Sequence, residues 1–414
     1  MRRILAMLFL IACAVNFGKA TEFYNVLGDR YLVYIVNKGG LANRLRAMAD
    51  WYHLARRSKR LLLVSWEASL ECNASFESLF DVEGMDLEEF LILPELIRPS
   101  PEQVINTARE KGMTAARVLH DEEASGFVLG EQVQRELESD VTQVVVTSYQ
   151  GIFTLRHVSC IQYMKMRGKF LASLEPSARS RGVLESLQRQ YFQERLVVGV
   201  HIRWHDHRYD WEVVPPMMEG ERAAATALAF GDGAGLSDFE SAMSEILAKH
   251  PNGTVRFLVM SNSAIIKQEV LSRFDDSVVT ITGELERGSQ EGMEFAALEF
   301  FALARTDLIL HTYGSTFAEE AAQIRNVPLV GIWNKARIYS QDPRLAGCGL
   351  MQYVNAVGEM SPIPYTYTEG TRDQRGVDDP YYEISPCPFL PEWGLRDLHC
   401  SLNTSPKPQL DTRA

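Results

Sequence analysis

The stretch YLVYIVNKGGLANRL, residues 31–45, sets the fold class. Tyr31 to Val36 is a short apolar run rich in β-formers. It halts at Asn37-Lys38-Gly39-Gly40, and from Leu41 to Arg57 the residues Leu41, Leu45, Met48, Tyr52 and Ala55 recur at helical spacing. The order is therefore strand, glycine turn, helix. Leu61 to Trp66 is then a mostly apolar run of the kind a parallel strand buried on both faces requires, so the unit reads β-α-β with a right-handed crossover.

The same alternation continues outward. Val144 to Thr147 is a further strand, residues 80–140 are acidic and helix-prone, and residues 158–194 form a long amphipathic stretch broken near Pro176. A second cycle opens at the strand Leu196 to Ile202 and passes through a long loop containing Pro215, Pro216 and the Gly-rich segment 231–235. Helices are expected at Asp238 to His250, Ser263 to Phe274, Gln290 to Ala304 and Thr316 to Ile324. Strands are expected at Arg256 to Met260, Val278 to Ile281, Leu308 to Leu310 and Leu329 to Trp333. The reading is α/β with two Rossmann-like domains, 21–195 and 196–344, and a tail, 345–414, too rich in Pro, Tyr and Gly for either sheet.

Composition bounds the partners. Of 414 residues, 42 are Lys or Arg and 54 Asp or Glu, for a net charge of −12. That balance argues against non-specific binding to nucleic acid or anionic membrane, so an anionic ligand needs a local, organised positive site. Arg2-Arg3, the apolar run Ile4 to Val15 and the small residues before Thr21 read as a secretory signal peptide over residues 1–20, cleaved after Ala20. The expected location is the secretory pathway, in the ER or Golgi lumen or outside the cell. A membrane partner enters only if that segment stays as an anchor. The sequons at Asn73, Asn252 and Asn403 agree with this route. Past residue 20 stand Cys72, Cys160, Cys348, Cys387 and Cys400, an odd number, so at least one is unpaired within the chain. Cys387 with Cys400, in the Pro-rich tail, is the favoured pair, although connectivity stays open.

Three segments carry chemistry. Gly39 and Gly40 let a ligand approach the backbone, and Asn43 and Arg44 follow on the first helical turn. The strand Val197 to Ile202 delivers His201 and Arg203 toward its carboxyl end, where an Arg fork suits a phosphate or else bridges to a carboxylate such as Asp206. Finally, Gly314, Ser315, Thr316 and Phe317 open a helix in which Thr316 and Glu319 have capping-box spacing, a site that favours an anion. Two anion sites at strand ends of one sheet point to a diphosphate. No GxGxxG, GxxxxGK[ST], Cys-x-x-Cys or Asp-x-Asp element occurs, and His201 with His205 lacks a thiolate nearby, so no metal or cofactor is expected.

Residues 39–45, Trp66 to Phe80 with Glu71-Cys72, Gly199 to Arg203, Phe257-Leu258 and Tyr313 to Phe317 resemble, in this order, segments of GDP-fucose-dependent fucosyltransferases. The superfamily meant contains core α1,6-, nodulation-type and protein O-fucosyltransferases. The resemblance covers roughly residues 30–335 and implies a GT-B fold whose two domains face a cleft, with GDP-fucose held mainly by the second. It implies that Arg203 holds the diphosphate and offsets charge on departing GDP, with His201 beside it. Ser315, Thr316 and Phe317 would form the phosphate-binding turn, and Asn43 would lie between donor and acceptor, orienting groups because an amide is no base. Gly39, Gly40, Gly314 and Asn262 complete the donor set. Asp206, or else Glu67, is the candidate acceptor base.

The chain departs from that pattern at Trp204, where some members have a second Arg, and at Ser261-Asn262-Ser263, where many carry an acid facing the guanine edge. The reading is an inverting, metal-independent transferase acting on a glycan or protein hydroxyl. Its rivals are a glycosyltransferase using another nucleotide sugar and a catalytically silent glycan-binding protein.

Overall fold

A computed structural model describes residues 31–36, 38–81, 90–92, 115–119, 143–147, 160–204, 234–333, 336–340, 352–354 and 360–362. Residues 1–20, Asp206, His205, Cys348, Cys387, Cys400 and the loop containing Pro215 and Pro216 lie outside these segments.

The first sheet is built from β1 (Tyr31–Val36), β2 (Leu61–Trp66), β3 (Phe90–Ile92), β4 (Ala115–Leu119) and β5 (Gln143–Thr147), ordered β3-β2-β1-β5-β4 and parallel throughout. Every residue of β1 is buried, as its uninterrupted apolar run requires of a strand covered on both faces. α1 (Leu41–Arg57) follows β1, and the four-residue turn of helix α2 (Phe76–Leu79) follows β2. The acidic region 80–140, expected to be helix-prone, thus contributes two strands, β3 and β4. Their short runs FLI and AARVL are extended through pairing with β2 and β5, a long-range contact that overrides local propensity.

α3 (Cys160–Ala172) and α4 (Ala178–Leu187) are the amphipathic stretch, divided at residues 173–177 around Pro176. They lead into the second sheet: β6 (Leu196–Ile202), α5 (Leu236–Lys249), β7 (Val255–Ser261), α6 (Ala264–Phe274), β8 (Val278–Thr280), α7 (Gln290–Leu303), β9 (Leu308–Thr312), α8 (Thr316–Arg325) and β10 (Leu329–Trp333). β11 (Ala336–Ser340), β12 (Gln352–Val354) and β13 (Met360–Pro362) then run back antiparallel. The sheet order is β13-β12-β11-β10-β9-β6-β7-β8. This corrects the expectation that residues past 345 join neither sheet, since β12 and β13 pair onto its edge, a position that tolerates a strand ending in Pro362.

The two faces of the second sheet meet different partners. Val198, Val200 and Ile202 pack with Phe239, Met243 and Ile246 of α5 and Ile266 and Val270 of α6. The opposite face packs on α7 and α8, whose own outer sides share one apolar cluster with α1 and α3. Contact there is close. Gly199 leaves room for Leu303 and Thr306, and a Cβ on Gly168 of α3 would stand 3.1 Å from the Gln323 carbonyl of α8.

Candidate functional site

Chain order places the site before any side chain is considered. From β6 the chain runs outward to β7 and β8, then returns to the other side of β6 as β9, so strand order reverses between β6 and β9. In an open α/β sheet, ligands bind beyond the carboxyl ends at such a switch point, because the two outgoing connections diverge there and leave a crevice. His201 lies opposite His311 across these strands, and just beyond them come Arg203 and the turn 313–315. The first sheet has its own switch at β1 and β5, and Gly39 and Gly40 follow β1.

Backbone geometry builds the turn after β9. Gly314 adopts φ 77°, a left-handed conformation open to glycine without strain, and Ser315 becomes the N-cap of α8. The capping box expected from Thr316 and Glu319 is absent: Thr316 is the first helical residue, Ser315 makes no side-chain cap bond, and Glu319 turns to Arg46. The Ser315 hydroxyl is nonetheless buried, and its Oγ has no hydrogen-bond partner. A buried hydroxyl left unmatched at a helix N-terminus is suited to an anion that would complete it.

His201 stacks on Phe317 with ring centroids 5.1 Å apart and planes 18° apart, and Phe317 in turn meets Phe300 edge-on at 5.3 Å. Burial, with His311, Arg203, Arg287 and Lys267 nearby, pushes the His201 imidazole down to about 3. His201 is therefore neutral at physiological pH, and its Nδ1 is buried without a partner. His311, lowered to about 4 by burial, holds the Thr312 carbonyl at 2.9 Å through Nδ1.

The Arg203 backbone N–H donates to Thr312 Oγ1 at 3.0 Å, which fixes the β6 exit against β9. Burial and then the charge of Arg287 lower Arg203 to about 10, still a full cation at neutral pH. Arg203 and Arg287 thus place two mutually acting cations at the exit of β6. Sequence reasoning missed Arg287, an exposed loop residue with no periodic signal. Its backbone carbonyl accepts from the Asn73 N–H at 3.3 Å, and the Asn73 side chain donates to the Gly288 carbonyl at 2.6 Å, so the loop is pinned to the first sheet's side.

The Ser261-Asn262-Ser263 segment is engaged internally. Asn262 accepts from the Trp204 N–H at 2.8 Å and donates to the Trp204 carbonyl at 2.6 Å, closing its amide on the backbone after β6. Ser261 Oγ accepts from the Ser263 N–H at 3.1 Å, and Ser263 caps α6 through Ile266.

At the first sheet, Gly39 has φ 82° and Gly40 caps α1. Asn43 is half-buried on the first turn. Arg44, by contrast, is wholly buried. It donates from Nε to the Gly39 carbonyl at 2.7 Å, and from its terminal nitrogens to the Glu67 carbonyl at 2.6 Å and Ser69 Oγ at 2.7 Å, above the Trp66 ring at 5.0 Å. The Gly39 N–H donates to the Glu71 carboxylate. Arg44 and Glu71 thus shape the glycine loop from beneath, and Glu67 contributes its backbone to that support. Cys72 beside them is a free, buried thiol pushed up to about 11 by burial.

No family model and no curated protein sequence matches the chain. Solved structures do. The fucosyltransferase NodZ from Bradyrhizobium superposes with a TM-score of 0.50 at 16% identity, over 73% of this chain and 96% of that one. NodZ alpha-1,6-fucosyltransferase co-crystallized with GDP gives 0.50 at 16% identity, over 73% and 95%. This chain has the fold of those fucosyltransferases. The α/β architecture read from the alternating runs is therefore present, with parallel strands in both sheets and an antiparallel edge, β11 to β13, on the second, and among the described residues no helix is long and apolar enough to cross a membrane.

Proposed function

We propose that the protein transfers fucose from GDP-fucose to a hydroxyl of a glycan or protein acceptor in the secretory pathway, with inversion and without a metal ion. The carrying observation is the β6/β9 switch point, which places Arg203 at the end of one strand and a buried, unmatched Ser315 hydroxyl at the helix N-terminus that follows the other. In this reading the acceptor oxygen attacks the anomeric carbon opposite GDP, its proton passes to a carboxylate such as Asp206, and the bond to the diphosphate breaks. Arg203, the Ser315 hydroxyl and the N–H groups of Thr316 and Phe317 receive the charge that develops on GDP, the Ser315 N–H being held by the Thr312 carbonyl, and neutral His201 holds an oxygen through Nδ1. Asn43 orients groups between donor and acceptor, and the Gly39-Gly40 and Gly314 backbones permit close approach. GT-B domains facing a cleft would bring these two sets together.

The Asn262 amide supports a second reading. It closes on the Trp204 backbone and offers no charge to a guanine edge, which favours a different nucleotide sugar as donor. Turnover on a panel of nucleotide sugars and immobilised glycans separates the two, and GDP binding without turnover would identify a silent glycan-binding protein. Within the main reading, Arg203→Lys keeps the charge but loses the planar fork, so turnover should fall by about a hundredfold, roughly 3 kcal/mol of transition-state stabilisation. Arg203→Ala should fold and no longer bind GDP. A destabilised variant whose folded fraction binds GDP normally would assign Arg203 to a structural ion pair instead.

A further inference from the structure

Two helices begin at the candidate site: α1 after Gly39-Gly40 and α8 after Gly314-Ser315. A buried charge cluster that the proposed chemistry does not use ties them together. Arg46 of α1 donates through Nε to Glu320 and through Nη2 to Glu319 Oε2 at 3.2 Å, both on the opening turns of α8. Arg167 of α3 lies beneath, 3.3 Å from Glu320 Oε1 and 3.2 Å from Asp50 Oδ1, and donates to Tyr163 Oη at 2.7 Å. Side-chain exposure is 17% for Arg46, 28% for Glu319, 1% for Glu320, 4% for Arg167 and 0% for Asp50, so water cannot substitute for the inner partners.

The helical period links this cluster to the site. Asn43 and Arg46 are three residues apart and share one face of α1, the face that meets α8. On α8, Glu319 follows Phe317 by two residues, within the first turn. Whatever fixes Arg46 against Glu319 and Glu320 therefore fixes Asn43 relative to the turn Ser315 to Phe317, which in the fucosyl-transfer reading serve the acceptor and the diphosphate from different sheets.

We propose that Arg46 is a positioning residue for group transfer: its contacts with Glu319 and Glu320 set the separation between the glycine loop of α1 and the anion turn of α8. This rests on the fucosyl-transfer reading. Binding of the diphosphate needs only the second sheet's residues, whereas transfer needs both loops, so losing Arg46 separates the two.

The test uses the full chain and the variants Arg46→Met, Arg46→Lys and Glu319→Gln. It measures GDP affinity by calorimetry, GDP-fucose hydrolysis without acceptor, transfer to the glycan panel, and melting temperature. For Arg46→Met, transfer should fall by about tenfold or more while GDP affinity and hydrolysis stay within about twofold, because misplacement affects only the step that needs both loops. Arg46→Lys should restore most of the transfer. Glu319→Gln, which removes only the outer contact, should show the same split in milder form and keeps the test valid if Arg46→Met does not fold. Unchanged transfer in Arg46→Met, or transfer, hydrolysis and GDP affinity falling in equal proportion, would overturn the positioning role. A wild-type chain that neither binds GDP nor consumes GDP-fucose overturns the fucosyl-transfer reading and this role with it.

Discussion

Replacing Arg44 with Met tests whether the glycine loop is held from within the first sheet. The buried guanidinium makes hydrogen bonds to the Gly39 carbonyl, the Glu67 carbonyl and Ser69 Oγ at 2.6 to 2.7 Å. Met fills much of the same volume and keeps contact with Trp66, so the cavity contribution is small. What remains is two carbonyls without a donor, since Ser69 Oγ still accepts from the Glu71 N–H at 3.3 Å. At about 1 to 2 kcal/mol for each unmatched group the loss sums to about 2 to 4 kcal/mol, offset by about 1 kcal/mol because a guanidinium no longer has to be desolvated. The net is about 2 kcal/mol, a fall in melting temperature on the order of 4 °C. Arg44→Lys can satisfy one or two of the three acceptors and should lie between. Thermal unfolding followed by circular dichroism checks the stability, and calorimetry with GDP checks the site; GDP affinity of the folded Arg44→Met protein should hold, because Arg44 donates to the protein's own backbone. A loss below about 1 kcal/mol would refute the accounting, and a folded variant unable to bind GDP would move Arg44 into the donor site.

Burial lowers the His53 imidazole to about 4, so between pH 6.5 and 4 the unfolded chain takes up a proton that the folded one refuses, and stability from this group is lost as pH falls. Asp50, raised to about 6 mainly by burial, has the opposite sign over nearly the same window. His53→Gln should therefore lose less melting temperature than wild type on acidification from pH 7 to 4.5, and an unchanged pH profile would refute the assignment. The buried Lys267 Nζ lies 2.5 Å from Glu299 Oε1, and burial raises that carboxyl to about 7. Lys267→Met alone should cost about 3 to 5 kcal/mol by leaving Glu299 uncompensated, while Lys267→Met with Glu299→Leu should recover most of it in a thermal-melt double-mutant cycle. Turnover of GDP-fucose is expected to persist in excess EDTA; loss that Mn²⁺ or Mg²⁺ restores would overturn metal independence.

Much of the fold is legible locally because buried parallel strands announce themselves as continuous apolar runs and helices as a 3.6-residue period. β1, β2, β6 and β10 have the ends expected from sequence, and the other strands from β7 to β9 differ by one or two residues. The Gly39-Gly40 and Gly314 turns are equally legible, since positive φ favours glycine. The anion-site argument also begins in sequence, with Arg203 and the 314–317 turn.

Tertiary structure decided the rest. Strand order, and hence the switch point between β6 and β9, depends on which edge of β6 a returning strand meets, and no local pattern encodes that choice. β3, β4, β12 and β13 are three to five residues long, too short for a period to declare itself, and exist through their pairing. Whether an Arg is solvated, structural or catalytic is likewise a matter of distant partners. Arg44 is buried beneath the glycine loop it follows, Asn262 closes on a backbone 58 residues away, and Arg46 meets carboxylates 273 and 274 residues along the chain. A hydrogen bond or ion pair acts over a few ångströms in space and leaves no trace at that separation in sequence, so the residue types were readable from the chain, but their roles emerged only when folding brought their partners together.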